Sequence, residues 1–207
     1  MEHSEFHLYK IQADLEALLG HKKLTISLFP VLADIRDEQS LQRIFKTCEP
    51  QILYHAAAYK HVNIAEKNPG VVVLNNFIAT KNLTELAVQF NVEKFILIST
   101  DKAVRSPNIM GASKRLAEMS VQAAASLNSA TIFTMVRFGN VIGSSGSAIP
   151  LFQSQIINGG PVTVTDPSVT RYFMSISQAV KLVLEAGEMA KGGEVFVFDM
   201  GQPVKVV

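Results

Sequence analysis

One cysteine, Cys48, stands in 207 residues, which excludes an intramolecular disulfide and fits a reducing compartment. It reads as a packing residue beside Phe45. An excess of one charge is also lacking: 19 Lys and Arg face 18 Asp and Glu, for a net charge of +1. That balance argues against a nucleic-acid binder driven by phosphate attraction. No apolar run approaches the roughly 20 residues that a membrane helix needs. The longest candidate, 71–78, is interrupted by Asn75 and Asn76. No basic start followed by an apolar stretch reads as a secretion signal. The five histidines show no metal-ligand spacing, so no metal is expected. The chain as given reads as soluble and cytosolic.

What is present is a 48% hydrophobic sequence, long enough for one good core. Short apolar runs alternate with longer amphipathic ones, the pattern of a parallel sheet covered by helices. Ser4 can cap a helix with Leu8, Ile11, Leu15 and Leu18 on one face, ended by Gly20. Residues 24–32 read as a strand, with Pro30 in its middle. Asp37 caps a helix carrying Leu41, Ile44 and Phe45, and 52–55 is a second strand. A long helix is expected after Pro69, with Phe77, Leu83, Leu86 and Phe90 facing inward. Strand 95–98, helix 110–125 and strand 131–136 follow. A glycine-serine loop (139–147), helices from Pro150 and over 177–189, and a strand at 195–198 complete the chain.

This is a doubly wound α/β layout of Rossmann type, which binds ligands at the C-terminal ends of its strands. The polar clusters 34–37, 55–61, 99–102 and 137–140 fall at those ends. They are site candidates by placement alone.

The segment Ser99-Thr100-Asp101-Lys102-Ala103, followed by Met110-Gly111-Ala112-Ser113-Lys114-Arg115, resembles the active-site stretch of the polysaccharide-biosynthesis (CapD-like) UDP-N-acetylglucosamine 4,6-dehydratases, which are extended short-chain dehydrogenases. The resemblance continues in order through 55–62, 137–141, 143–147, 170–174 and 201–205, nearly the whole chain. The family's opening strand and GxxGxxG turn, whose amides hold a cofactor pyrophosphate, have no counterpart here. The expected unit is therefore an incomplete dinucleotide-binding domain over 1–207, with the start of a substrate-binding part from about 140. Longer family members carry N-terminal membrane helices, so a parent protein could be membrane-anchored with its enzyme in the cytoplasm. Homo-oligomers are expected.

Each site residue has a functional and an ordinary reading. Short-chain dehydrogenases usually place a tyrosine four residues before a lysine on one helix face. Met110 occupies the tyrosine position and Lys114 the lysine position. Met110 cannot exchange a proton, so a sugar 4-hydroxyl must lose its proton through water or Thr100 linked to Lys114. The resemblance implies that Lys114 touches the cofactor ribose; otherwise Met110 is core filler and Lys114 a solvated lysine. Asp101-Lys102 matches the family's acid and base, since dehydration needs a base at C5 and an acid at the C6 hydroxyl. As loop charges alone, the two residues mean nothing.

On the cofactor side the resemblance implies Glu2, Asp34, Ile35, Ala56, Ala57, Ala58, Lys60, Asn76 and Ser99. Asp34 and Ile35 lie beside the adenine unless Asp34 merely starts a turn. Ala56 to Ala58 are small where backbone approaches cofactor, or pack tightly between helices. Asn76 supports the neighbouring loop. Glu2 would accept from a ribose 2′-hydroxyl and repel a 2′-phosphate, favouring NAD over NADP; Arg36 argues the other way. On the nucleotide-sugar side stand Asn140, Ser144, Ser147 and Arg171, the last a diphosphate clamp or a surface ion pair.

Three functions compete: a UDP-sugar 4,6-dehydratase, a nucleotide-sugar 4-epimerase on the same fold, and a catalytically inert fragment or interaction module. Met110 counts against the epimerase, and the lack of a phosphate-binding turn favours the fragment.

Overall fold

A computed structural model describes residues 1–127, 130–143, 148–164 and 168–205. The elements in order are α1 (Glu5–Lys22), α2 (Glu38–Cys48), β1 (Ile52–His55), α3 (Val62–Lys67) and α4 (Pro69–Val73), then a π-turn (Leu74–Ile78) and α5 (Ala79–Gln89). Next come β2 (Lys94–Thr100), a 3₁₀ turn (Asp101–Ala103), α6 (Ile109–Ser126), β3 (Ile132–Phe138), β4 (Asn140–Val141) and α7 (Ala148–Ile157). β5 (Thr170–Arg171), β6 (Phe173–Met174), α8 (Ile176–Met189), β7 (Val195–Val197) and β8 (Val204–Lys205) finish it.

β1, β2, β3 and β7 form one parallel sheet in that order, with β2 paired to β3 along its whole length from Lys94↔Ile132 to Thr100↔Phe138. Alternation along the strands divides the core. Phe95, Leu97, Phe133 and Met135 point to one face and meet Leu83 and Leu86 of α5 and Ala117 and Val121 of α6. Ile96 and Val136 point to the other and meet Ala186 of α8. Helices on both faces make the sheet doubly wound, as the alternating pattern predicts. Two small pairings, β4 with β6 and β5 with β8, bring the second half of the chain back toward the ends of β2 and β3.

Four expectations are corrected. Segment 24–32 is not a strand: only Leu32 forms a bridge, to Glu2. Pro30 has no amide to donate, and no described strand other than that bridge runs beside it. The first helix is capped by Ser4, but it runs past Gly20 to Lys22 and buries no residue; Ile11, Leu15 and Leu18 are exposed. The helix after Pro69 is interrupted by the π-turn, which turns Asn75 and Asn76 inward as buried residues. Cys48 is an exposed thiol, not packing, because it ends α2 while Leu41 and Phe45 face the core.

Candidate active site

Two cavities lie along the C-terminal ends of β1 and β2 and share Ala56, Ala58 and Tyr59 in their walls. One, of about 610 Å³, reaches Glu2, Asp34, Ile35, Ala57 and Asn75. The other, of about 380 Å³, is lined by Lys60, Ser99, Thr100, Lys102, Met110, Lys114 and Asn140 among others. Predicted cofactor residues thus separate into a far lobe and a reaction lobe joined by the alanine loop.

The reaction lobe is built by the turn that ends β2. The Thr100 hydroxyl donates to Asp101 Oδ1 at 2.9 Å and receives the Lys102 amide. Lys102 Nζ donates to Asp101 Oδ1 and to Asn140 Oδ1, each at 3.1 Å. Gly111 of α6 seats this turn: a Cβ there would lie 2.1 Å from the Lys102 carbonyl oxygen and from Ser106 Oγ. Asn108 caps α6 through the Gly111 amide.

Met110 and Lys114, one turn apart on α6, are both buried. Met110 packs with Ala65 and Val72 and also lines the reaction lobe. Lys114 Nζ donates to the Ile98 carbonyl at 2.8 Å. Burial pushes its ammonium down to about 8, partly offset by Glu118. No hydrogen bond joins Thr100 to Lys114.

The loop 56–60 is held from below. Asn76 Oδ1 accepts from the Tyr59 amide at 2.8 Å, and its Nδ2 donates to the Tyr59 carbonyl and Ser113 Oγ. Its side chain is spent on support. Thr80 donates to the Asn76 carbonyl, so its oxygen receives His55 Nε2–H at 2.8 Å and fixes that tautomer. Burial, then the Lys114 charge, push His55 down to about 3 and keep it neutral.

In the far lobe, Arg36 grips Asp34 through Nε and both carboxylate oxygens, which holds that carboxyl down at about 2. The Arg36 charge is therefore already paired. Glu2 Oε1 accepts from the His3 and Ser4 amides. Ser99, expected at the cofactor, lines the reaction lobe but donates its hydroxyl to Glu118 at 2.7 Å. Arg171 is exposed, donates to the Thr170 carbonyl and lines neither lobe. Ser144 and Ser147 lie outside the described residues.

Sequence reading missed three members. Asn75 lines the far lobe, buried, and donates Nδ2 to Asn76 while its own Oδ1 accepts from no described residue. His55 was placed only by its cluster. Glu118 is fully buried beneath the reaction lobe, and its signal was an acid on the apolar face of α6, four residues after Lys114. Among the described residues no group of acidic, His or Cys side chains is placed to hold a metal, and no helix is long and apolar enough to cross a membrane.

One lobe offers a spare buried acceptor, the other a buried cation, and small residues stand where they join. The chain is 51% identical over 205 residues to the capsular polysaccharide biosynthesis protein CapD of Staphylococcus aureus, covering 99% of this chain and 34% of that one. It is 39% identical over 190 residues to the UDP-glucose 4-epimerase of Rickettsia typhi, 91% of this chain and 54% of that one. The chain thus spans about a third of CapD and half of the epimerase. Among solved structures, Pen from Bacillus thuringiensis superposes with a TM-score of 0.87 at 35% identity, covering 99% of this chain and 61% of Pen. The dTDP-glucose 4,6-dehydratase DesIV of Streptomyces venezuelae, solved with NAD, shares the fold at a TM-score of 0.78 and 20% identity, over 84% of this chain and 59% of DesIV. The model of the polysaccharide biosynthesis protein family matches residues 1–207, and the chain belongs to that family.

Proposed function

We propose that the chain carries the reaction centre of a nucleotide-sugar 4,6-dehydratase acting on UDP-N-acetylglucosamine for surface-polysaccharide synthesis. The observation that carries this reading is Lys102 seated between Asp101 and Asn140, facing a cavity in which Met110 precedes Lys114 by one turn.

NAD, when bound, supplies the hydride acceptor and donor; Glu2, Asp34, Ile35, Asn75, the loop 56–60 and Lys114 would hold it. The chain's own residues move the protons. This cycle requires Lys102 as an amine and Asp101 as a carboxylate at its start. The 4-hydroxyl proton passes through Thr100 to Asp101, along a hydrogen bond already present. Lys102 takes the proton from C5, and Asp101 returns its proton to the C6 oxygen as that C–O bond breaks and water leaves. Lys102 then gives its proton back to C5 as C6 is reduced, so both side chains regain their starting forms. A thioether at position 110 has no proton to exchange and stays outside this relay.

The 4-epimerase reading is favoured by the likeness to the Rickettsia typhi enzyme. A parent-length protein given the UDP-sugar deuterated at C4 distinguishes the two. A dehydratase yields a product lighter by one water with deuterium at C6; a product of unchanged mass would establish the epimerase. NAD is expected to bind more tightly than NADP, because the Glu2 carboxylate lines the far lobe and Arg36 is already paired. Fluorescence titration with both cofactors checks this, and tighter NADP binding would refute it.

A further inference from the structure

The Glu118 carboxylate takes no part in the relay above, yet it is 0% exposed. Its Oε1 accepts from Ser99 Oγ and from Arg137 Nε, both at 2.7 Å. Its Oε2 accepts from Arg137 and, at 3.0 Å, from Arg115. Ser99 and Arg137 are register partners on β2 and β3, immediately before Thr100 and Phe138. One side chain of α6 therefore ties together the strand ends that carry the reactive turn and lead to Asn140. Burial alone would push its carboxyl up, but the donors from Arg137, Ser99 and Arg115 outweigh it and hold it below the usual range.

An apolar side chain of similar size would fasten α6 to the sheet without the cost of a buried ion. A carboxylate adds two things: a fixed, directional grip on both strand ends, and a negative charge one turn from Lys114. The other titratable groups around Lys114 are His55 of β1, held neutral, and Lys60, His61 and Lys102 across the cavity, with Asp101 paired to Lys102. Glu118 itself is shared with Arg115 of α6 and Arg137 of β3.

We propose that Glu118 is a positioning residue that holds the ends of β2 and β3 beneath the Thr100–Lys102 turn and supplies the counter-charge that keeps Lys114 a cation toward a bound ligand. This rests on Lys114 facing the ligand, but both readouts below are taken without substrate or cofactor, so failure of the dehydratase assay leaves them independent.

The test is NMR on the full chain, following the Lys114 Nζ titration and the amide exchange of residues 100–102. Glu118→Gln should lower the Lys114 midpoint by about one pH unit and speed exchange in the turn about tenfold or more. Ser99→Ala keeps the charge: the midpoint should stay, while exchange at 100–102 rises. A folded Glu118→Gln chain with an unchanged Lys114 midpoint overturns the proposal. Should that variant not fold, Ser99→Ala decides, and unchanged exchange in the turn overturns it.

Discussion

Asn140 accepts a hydrogen bond from Lys102 Nζ at 3.1 Å across 38 positions of sequence, so a residue expected to hold the sugar nucleotide also orients the proposed base. In a parent-length enzyme Asn140→Leu should lower turnover about tenfold, as the aimed Lys102 side chain becomes loose. Lys102→Ala should cost about 10²–10⁴, or roughly 3–5 kcal/mol of barrier, and abolish solvent exchange at C5 in heavy water. Asp101→Asn should slow both C5 exchange and product formation, because C4 oxidation and loss of the C6 oxygen both lose their proton carrier. If Asp101→Asn and Lys102→Ala both retain near-normal turnover, the pair are ordinary loop charges.

Gly111 and Gly20 should respond oppositely to alanine. Both sit in helices, where Gly→Ala ordinarily stabilises by about 1 kcal/mol. Gly20 has nothing within 4 Å of an added Cβ, so Gly20→Ala should raise the urea midpoint. Gly111→Ala would drive a methyl into the Lys102 carbonyl and should lower the midpoint. A stabilised Gly111→Ala chain would mean that the turn is not seated on α6.

Stability should fall in acid through His55. Its folded value of about 3 lies below the ordinary 6.5, so the unfolded chain binds the extra proton. The loss begins as pH falls through about 6.5 and continues to about 3, at up to ~1.4 kcal/mol per pH unit. Urea unfolding at pH 7, 5 and 4 should show it, and His55→Asn should flatten the profile.

Lys114 acts in alkali. With a folded value of about 8 against 10.5, stability should rise as pH climbs between those values. Lys114→Met should remove that rise. An identical alkaline profile in the variant would show that Lys114 is not desolvated.

β1 is an edge of the sheet, with Ile52 and Tyr54 exposed, and the apolar side chains of α1 are uncovered. Open edges recruit other chains. Sedimentation should show concentration-dependent association of the 207-residue chain, reduced by Tyr54→Lys. A monomer at all concentrations would refute this.

The parallel sheet was legible because its strands are short apolar runs and its helices carry clear caps, as Asp37 and Ser4 show. Segment 24–32 misled for the same reason: Leu24, Ile26 and Leu32 alternate, but alternation cannot report whether a neighbouring strand exists. The turn at 99–102 was legible from its place after β2. The partners of its side chains were not, because the Lys102–Asn140 and Ser99–Glu118 contacts join distant positions. The position of Arg171 was not legible either, because charge marks phosphate affinity and says nothing about where a two-residue strand will carry the side chain.

The π-turn at Leu74–Ile78 acts as a phase shifter between two helices. One residue more than an α-turn needs is accommodated there, and each residue of a helix corresponds to about 100° of rotation. Deleting a single residue between 74 and 78 would restore a continuous α-helix and improve its local bonding. It would also rotate α4 relative to α5, swinging Asn75 out of the far lobe and Asn76 off the Tyr59 backbone. Local regularity and site geometry are therefore opposed at this point. An insertion or deletion here would be read out at the loop 56–60, in a different stretch of sequence, while the helix itself became easier to form.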